Sequence, residues 1–232
     1  MLLDGSRICT RRRKSPERSR WSARENCKGR RAALDRVGSS RNGMNISAAL
    51  LAGGESRRMG KDKATLLVRG KPLWEIQLEL LRKLEPLEIF VSARADPVWR
   101  PADVPFVADD PPSRGPLSGL AASLAQMRAN HLLVLAIDMP FMTEKYLKAL
   151  CSQLEPCRGV IAKIDDRFEP LAAIYPRKVS DDFRSALSGT DFSLQTVAGR
   201  LVEERRLHVI PVSKKEKQLF LNVNELSDLA VL

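Results

Sequence analysis

The stretch "ISAALLAGGESRRMGKDKATLLVRGKPLWEIQLELLRKL" (residues 46–84) holds three kinds of pattern in succession. Residues 46–52 form a short apolar run of the kind that fills a buried strand. A glycine-rich basic loop follows it directly. From residue 72 to 84 apolar side chains recur at Leu73, Ile76, Leu80, Leu81 and Leu84, the spacing of one face of a helix. A strand, a loop and an amphipathic helix in that order predict the first unit of an α/β domain.

The same alternation continues along the chain. Residues 87–93 and 131–137 read as strands, the second fully buried. Residues 116–127 and 143–154 read as helices, with Thr143 placed to cap the second. "GVIAKI" and "PLAAIYP" predict two more strands around a turn at Asp165 and Asp166. Residues 191–201 read as a helix, 205–212 as a strand and 224–231 as a terminal helix capped by Asn224. Strands separated by helices predict an α/β fold of three layers, α/β/α, with a mainly parallel central sheet. Ligands of such sheets bind beyond the carboxyl ends of the strands, so the loops after strands are where chemistry is expected.

Charge divides the chain unevenly. Residues 1–43 carry 13 Lys/Arg against four Asp/Glu, whereas the remaining residues carry 26 against 24. The formal charge of +11 therefore belongs mainly to an N-terminal extension, and the body from residue 44 to 232 is close to neutral. The extension has too few apolar residues to offset the entropy of ordering it and reads as disordered. Met44 stands just before the first strand, so residues 1–43 equally suit sequence upstream of the true start. Their cations could touch nucleic acid nonspecifically, but Trp21 is the only aromatic among them and no fold surrounds it. Nucleic acid is therefore not an expected partner. An uninterrupted apolar leader is missing from the extension, and no run of about 18 apolar residues suggests a membrane span.

The four cysteines, Cys9, Cys27, Cys151 and Cys157, lack the short spacing of a zinc site, and His131 and His208 lie far apart. Free thiols in a reducing cytoplasm are the expectation.

The loop after the first strand carries the strongest chemical signal. It is neither G-x-x-x-x-G-K-[ST] nor G-x-G-x-x-G. Gly53 and Gly54 nonetheless let backbone N–H groups approach an anion closely. Arg57, Arg58, Lys61 and Lys63 then cluster within a few positions, as the charges of a nucleoside triphosphate demand.

Three further segments carry possible chemistry. In "LAIDMP", Asp138 ends an apolar strand. A carboxylate there can hold Mg²⁺ against substrate phosphates, and its position equally suits an aspartate that merely terminates the strand. "DDPPSRGPLSGL" (residues 109–120) is a loop leading into a helix with Pro116 at its first position. Its glycines, Gly115 and Gly119, allow tight backbone that could read a base edge by main-chain hydrogen bonds. In "FLNVNEL", Asn222 and Asn224 share one side if the segment is extended. Either could ligate a metal or orient a phosphate, and Asn224 equally suits a helix cap.

Taken together these segments resemble the molybdenum cofactor guanylyltransferase family. "LAGGESRRMGKDK" followed by "GKPL" matches its L-A-G-G-x-S-x-R-M-G-x-D-K…G-K-P-L signature without a gap. "DDPPSRGPLSGL", "LAIDMP", "EPLAAIY" and "FLNVNEL" follow in the family's order, so the resemblance covers Met44 to about Leu232. It implies a Rossmann-like nucleotidyltransferase fold and transfer of GMP from GTP to molybdopterin, with pyrophosphate released. It further implies that Leu51, Ala52, Gly53 and Gly54 meet the nucleotide and that Lys63 and Arg58 face its phosphates. Asp109 would lie at the base or ribose end, Asp138 would ligate Mg²⁺, and Ser92 occupies a nucleotide-contacting position that is often Asn. The family's terminal pattern often reads N-V-N-T-P-E, whereas "NVNELSDL" lacks the Thr-Pro.

Implied partners are GTP, molybdopterin, and the molybdoenzymes or cofactor-pathway proteins that the product serves. Three other readings are open on the residues themselves. The scaffold could use CTP or another phosphorylated acceptor. Sugar-nucleotide synthesis would sooner read L-A-A-G than "LAGG". A noncatalytic nucleotide-binding protein would not require both Lys63 and Asp138.

Overall fold

A computed structural model describes residues 45–53, 62–109 and 112–223. The predicted extension 1–43 and the predicted terminal helix 224–231 lie outside the described residues. In chain order the elements are β1 (Ile46–Leu51), a 3-10 turn (Lys63–Thr65), β2 (Leu67–Val68) and β3 (Lys71–Pro72). Then follow α1 (Leu73–Arg82), β4 (Glu88–Ala93), β5 (Phe106–Ala108), α2 (Pro116–Gln126), β6 (His131–Ala136) and α3 (Glu144–Ser152). The second half contributes β7 (Gly159–Ile164), β8 (Arg167–Pro176), α4 (Ser180–Leu187), α5 (Leu194–Glu203) and β9 (Leu207–Pro211).

Seven of these strands form one sheet in the order β5-β4-β1-β6-β8-β7-β9, and β2 pairs with β3 in a separate hairpin. The predicted mainly parallel sheet is present. Only β8 runs the other way, antiparallel to both β6 and β7. Strands β1 and β6 are buried along their whole length, as apolar strands in a sheet covered on both faces must be.

Alternation of side chains across the pleat builds the layers. Ala48 and Leu50 of β1, with Leu133 and Leu135 of β6, pack toward α1 and α3. Ala49 and Leu51, with Leu132 and Val134, pack toward α2, α4 and α5. The result is helices on both faces of one sheet, the expected α/β/α arrangement. Among the described residues no helix is long and apolar enough to cross a membrane.

Local signals explain most helix starts. Thr143 caps α3 by accepting from the Tyr146 backbone N–H at 3.3 Å, and Pro116 opens α2 behind Gly115, whose φ is +68°. The helix predicted over 191–201 begins later, at Leu194. Ser193 accepts from the Thr196 N–H there, while its own N–H is held by Asp191. Strand β8 also starts at Arg167, earlier than "PLAAIYP" suggested, because its outer half pairs with β7 alone. The strand β5 is too short to show a period, and the apolar face of α4 rests on Phe183, Ala186 and Leu187 alone; sequence reading passed over both.

The chain runs from β1 out to β4 and β5 on one side, then returns to β6 on the other side of β1. That reversal opens a crevice beyond the carboxyl ends of β1 and β6.

Candidate active site

At the end of β1 the backbone is drawn in two directions. The Ala52 N–H donates to Ser92 O at 2.8 Å on β4, and the Ile137 N–H donates to Leu51 O at 3.0 Å from the β6 side. Residues 51–53 thus enter the crevice with their backbone fixed. The crevice is lined by Leu51, Ala52, Gly53, Lys63 and Asp138 together with Ser92, Asp109, Gly115 and Gly119.

Asp109 follows β5 and is buried. Its N–H donates to Ala93 O at 3.0 Å. The Ser113 hydroxyl donates to its carboxylate at 2.9 Å, and the Ser92 hydroxyl lies 3.4 Å from the other oxygen. Ser92 Oγ is also 3.3 Å from Gly119 O, so its single proton serves one of the two acceptors at a time. Packing here is tight around both glycines. A Cβ on Gly53 would lie 3.3 Å from Asp109 Oδ2, and one on Gly119 would lie 2.8 Å from Ser92 Oγ and 3.0 Å from Asp109 Oδ1. The loop leading into α2 is held by Ser118, which accepts from the Arg114 N–H at 2.8 Å, and by the Arg114 guanidinium over the Phe192 ring.

Lys63 and Asp138 line the same crevice, with Nζ 3.8 Å from Oδ2 and both side chains mostly buried. Burial pushes the Asp138 carboxyl above the ordinary aspartate range, and the Lys63 ammonium pulls it back part of the way. The Asp138 backbone is fixed from both sides. Its carbonyl accepts from the Val223 N–H at 2.8 Å, and the buried Gln77 amide donates to Met139 O at 2.6 Å. Lys63 begins the 3-10 turn, which Asp62 caps by accepting from the Ala64 N–H at 3.0 Å.

Of the residues singled out from sequence, Leu51, Ala52, Gly53, Lys63, Ser92, Asp109, Gly115, Gly119 and Asp138 meet in this one crevice. Asn222 is exposed and is not part of the lining, although its neighbour Val223 is tied to Asp138. Gly54, Arg57, Arg58, Lys61 and Asn224 lie outside the described residues. Sequence reading missed Asp62, Ser113, Ala136, Ile137 and Leu171. Asp62 stood in plain view inside "GKDK"; Leu171, from the strand that runs against the rest, carried no signal.

Neither cysteine among the described residues is disulfide-bonded. Burial pushes the Cys151 thiol up to about 11. Among the described residues no three His, Cys, Asp or Glu side chains group as a metal site. The mostly buried Asp138 carboxylate in the crevice lining still fits Mg²⁺, which typically takes one or two carboxylates and completes its shell with substrate oxygens and water.

A crevice at the switch point of a mainly parallel sheet is where such folds bind their ligands, and here a lysine–aspartate pair lines it. Residues 48–206 match the MobA-like NTP transferase domain, and the chain belongs to that family. It is 34% identical over 192 residues to the probable molybdenum cofactor guanylyltransferase of Opitutus terrae, covering 82% of this chain and 95% of that one. A molybdenum cofactor guanylyltransferase of Syntrophotalea carbinolica is 31% identical over 189 residues, with coverage of 78% and 88%. Among solved structures, molybdopterin-guanine dinucleotide biosynthesis protein A of Archaeoglobus fulgidus superposes with a TM-score of 0.63 at 25% identity, covering 80% and 95%. A 4-diphosphocytidyl-2C-methyl-D-erythritol synthase of Anaerococcus prevotii shares the fold, with a TM-score of 0.62 at 15% identity and coverage of 80% and 93%.

Proposed function

We propose that this protein transfers GMP from GTP to the terminal phosphate of molybdopterin and releases pyrophosphate. The observation that carries the reading is the approach of Lys63 and Asp138 to within 3.8 Å in a crevice that the buried Asp109 also lines. A triphosphate laid across it has a cation and a carboxylate at the reacting end and an acceptor carboxylate at the other. The relatives' names agree with this substrate pair.

In the proposed reaction an oxygen of the acceptor phosphate attacks the α-phosphorus of GTP in line. The bond from the α-phosphorus to the bridging oxygen breaks, and that oxygen leaves with pyrophosphate. No covalent intermediate on the protein is required, so catalysis is positioning plus charge stabilisation. Backbone groups of residues 51–53 hold the nucleotide, Asp109 accepts hydrogen bonds from its base or ribose, and Lys63 offsets charge gathering on the leaving group. Asp138 would hold Mg²⁺, which supplies further neutralisation of the phosphate oxygens. A metabolic role in the cytoplasm follows from these substrates.

Pyrophosphate release measured with each of GTP, CTP, ATP and UTP, with and without molybdopterin, tests the proposal. Release with GTP that depends on molybdopterin is expected. Preference for CTP would reassign the base, and nucleotide binding without turnover would make the protein a noncatalytic binder.

A further inference from the structure

The lysine of the candidate site sits on a turn of only three residues, and such a turn does not fix a long side chain by itself. What constrains it further is Asp62 at the edge of the crevice and the loop beyond it. The Trp99 indole N–H donates to Asp62 Oδ2 at 2.7 Å. The other carboxylate oxygen of Asp62 caps the Ala64 N–H, and its backbone carbonyl accepts from the Thr65 N–H at 3.0 Å and from the Thr65 hydroxyl at 2.8 Å. Every one of these bonds constrains the turn on which Lys63 begins.

Trp99 is itself anchored. Its ring stacks on Trp74 at the start of α1, with centroids 5.8 Å apart and planes 16° from parallel. The next residue, Arg100, pairs with Asp96 through two bonds of 2.6 and 2.7 Å and ties the loop down with a further bond to Pro101 O. A groove bordered by Trp99, Asp62 and Gly53 adjoins the crevice.

We infer that Trp99 is a positioning residue for the nucleotidyl-transfer site, acting through Asp62 to hold the Lys63 ammonium toward Asp138. The inference rests on the reading that Lys63 meets the nucleotide phosphates. An indole–carboxylate hydrogen bond suits the task because it is charge-assisted and directional, and the stacked ring spends little conformational freedom in making it.

Trp99→Phe tests this, because it keeps an aromatic ring on Trp74 and deletes only the donor. GTP affinity and the rate of pyrophosphate release should both fall, by roughly tenfold for loss of one hydrogen bond to a charged group. Asp62→Asn approaches from the other side: its amide oxygen can still cap Ala64 while its NH₂ no longer accepts from the indole. The same loss is expected, and with both changes present the losses should not add. The deciding measurement is GTP affinity in a Lys63→Ala background, where Trp99→Phe should have no further effect. An equal loss with and without Lys63 would overturn the inference, as would full activity in both single variants. Unchanged GTP affinity and rate in Lys63→Ala alone would instead remove the reading of Lys63 on which the inference stands.

Discussion

Lys63 Nζ and Asp138 Oδ2 face each other at 3.8 Å, close enough to attract and too far apart for a direct hydrogen bond. The two come from different parts of the chain, one from the turn after β1 and the other from the carboxyl end of β6. Such spacing leaves both groups able to reorient toward a third charged group between them.

Lys63→Ala should therefore lower the rate of GTP-dependent pyrophosphate release by about 10²–10³-fold, roughly 2.7–4 kcal/mol of barrier, by analogy with a lost oxyanion donor. Asp138→Ala should do the same and should also abolish the response to Mg²⁺ added back after chelation. Full Mg²⁺-dependent activity in Asp138→Ala would refute the metal assignment. Circular dichroism of each variant should match the parent.

Asp138 also implies a trade between stability and activity. Burial raises its pKa in the folded chain above the unfolded value. A group of this kind contributes stability that is complete below its unfolded pKa and is lost as pH rises through the folded one. The ionised carboxylate therefore strains the fold at neutral pH. Without nucleotide or metal, Asp138→Asn should move the urea midpoint upward at about pH 7.5, and the gain should shrink as the solution is acidified toward the ordinary aspartate pKa. A lower midpoint at neutral pH would show that the attraction to Lys63 outweighs burial.

Gly119→Ala sets helix propensity against site geometry. Alanine in place of glycine inside a helix ordinarily helps by about 1 kcal/mol. Here the new Cβ meets Ser92 Oγ at 2.8 Å and Asp109 Oδ1 at 3.0 Å, so both side chains must turn. Thermal stability should change little while GTP binding, followed by calorimetry, weakens by about tenfold, in the range of overpacking costs. Adding Ser92→Ala removes the nearest atom and should recover part of the affinity. Unaltered affinity in Gly119→Ala would separate Asp109 from nucleotide binding.

Gly159→Ala probes the sheet rather than the site. Its Cβ would fall 2.1 Å from Ile174 O and 2.8 Å from both Leu207 Cδ2 and Pro176 Cδ. A carbonyl oxygen inside a strand cannot step aside without parting β7 from β8. A loss of about 3 kcal/mol or more is expected, at the upper end of overpacking costs, and urea denaturation measures it. Parent-like stability would mean that the two strands separate more easily than their pairing suggests.

The parts of this fold legible in sequence are those with long, unbroken patterns. The buried run of β6 and the apolar face of α1 declare themselves, because burial on two faces and burial on one face leave different periodicities. Strand β5 is only three residues long, and its pairing is set by the end of β4 rather than by its own composition. Helix α4 follows directly on a 3-10 turn (Arg177–Val179) and has no side-chain cap, so no capping residue marks its start. Lys63 and Asp138 could be named from motifs, since charged residues beside buried strands are conspicuous, whereas Asp109 was named only through the family resemblance, because β5 before it went unread. That Ser92 and Gly119 form a single packed unit with Asp109 is a property of three separate elements meeting, which spacing along the chain does not encode. Trp99 was invisible for the same reason.

The reversed strand gives the molecule a division of labour. Register between β6 and β8 is set only by the inner half of β8, from His131 opposite Pro176 to Leu135 opposite Ala172. The outer half, Arg167 to Glu169, pairs with β7 across a shift at Ile161 and Ala162, and the hairpin built there brings Leu171 to the edge of the crevice. Changing the length or composition of the tip at Asp165 and Asp166 would leave the β6–β8 ladder in place, since that ladder ends at Ala172. The Lys63–Asp138 side of the crevice is thus tied to the buried strands β1 and β6, whereas the reversed hairpin reaches the crevice through Leu171 alone.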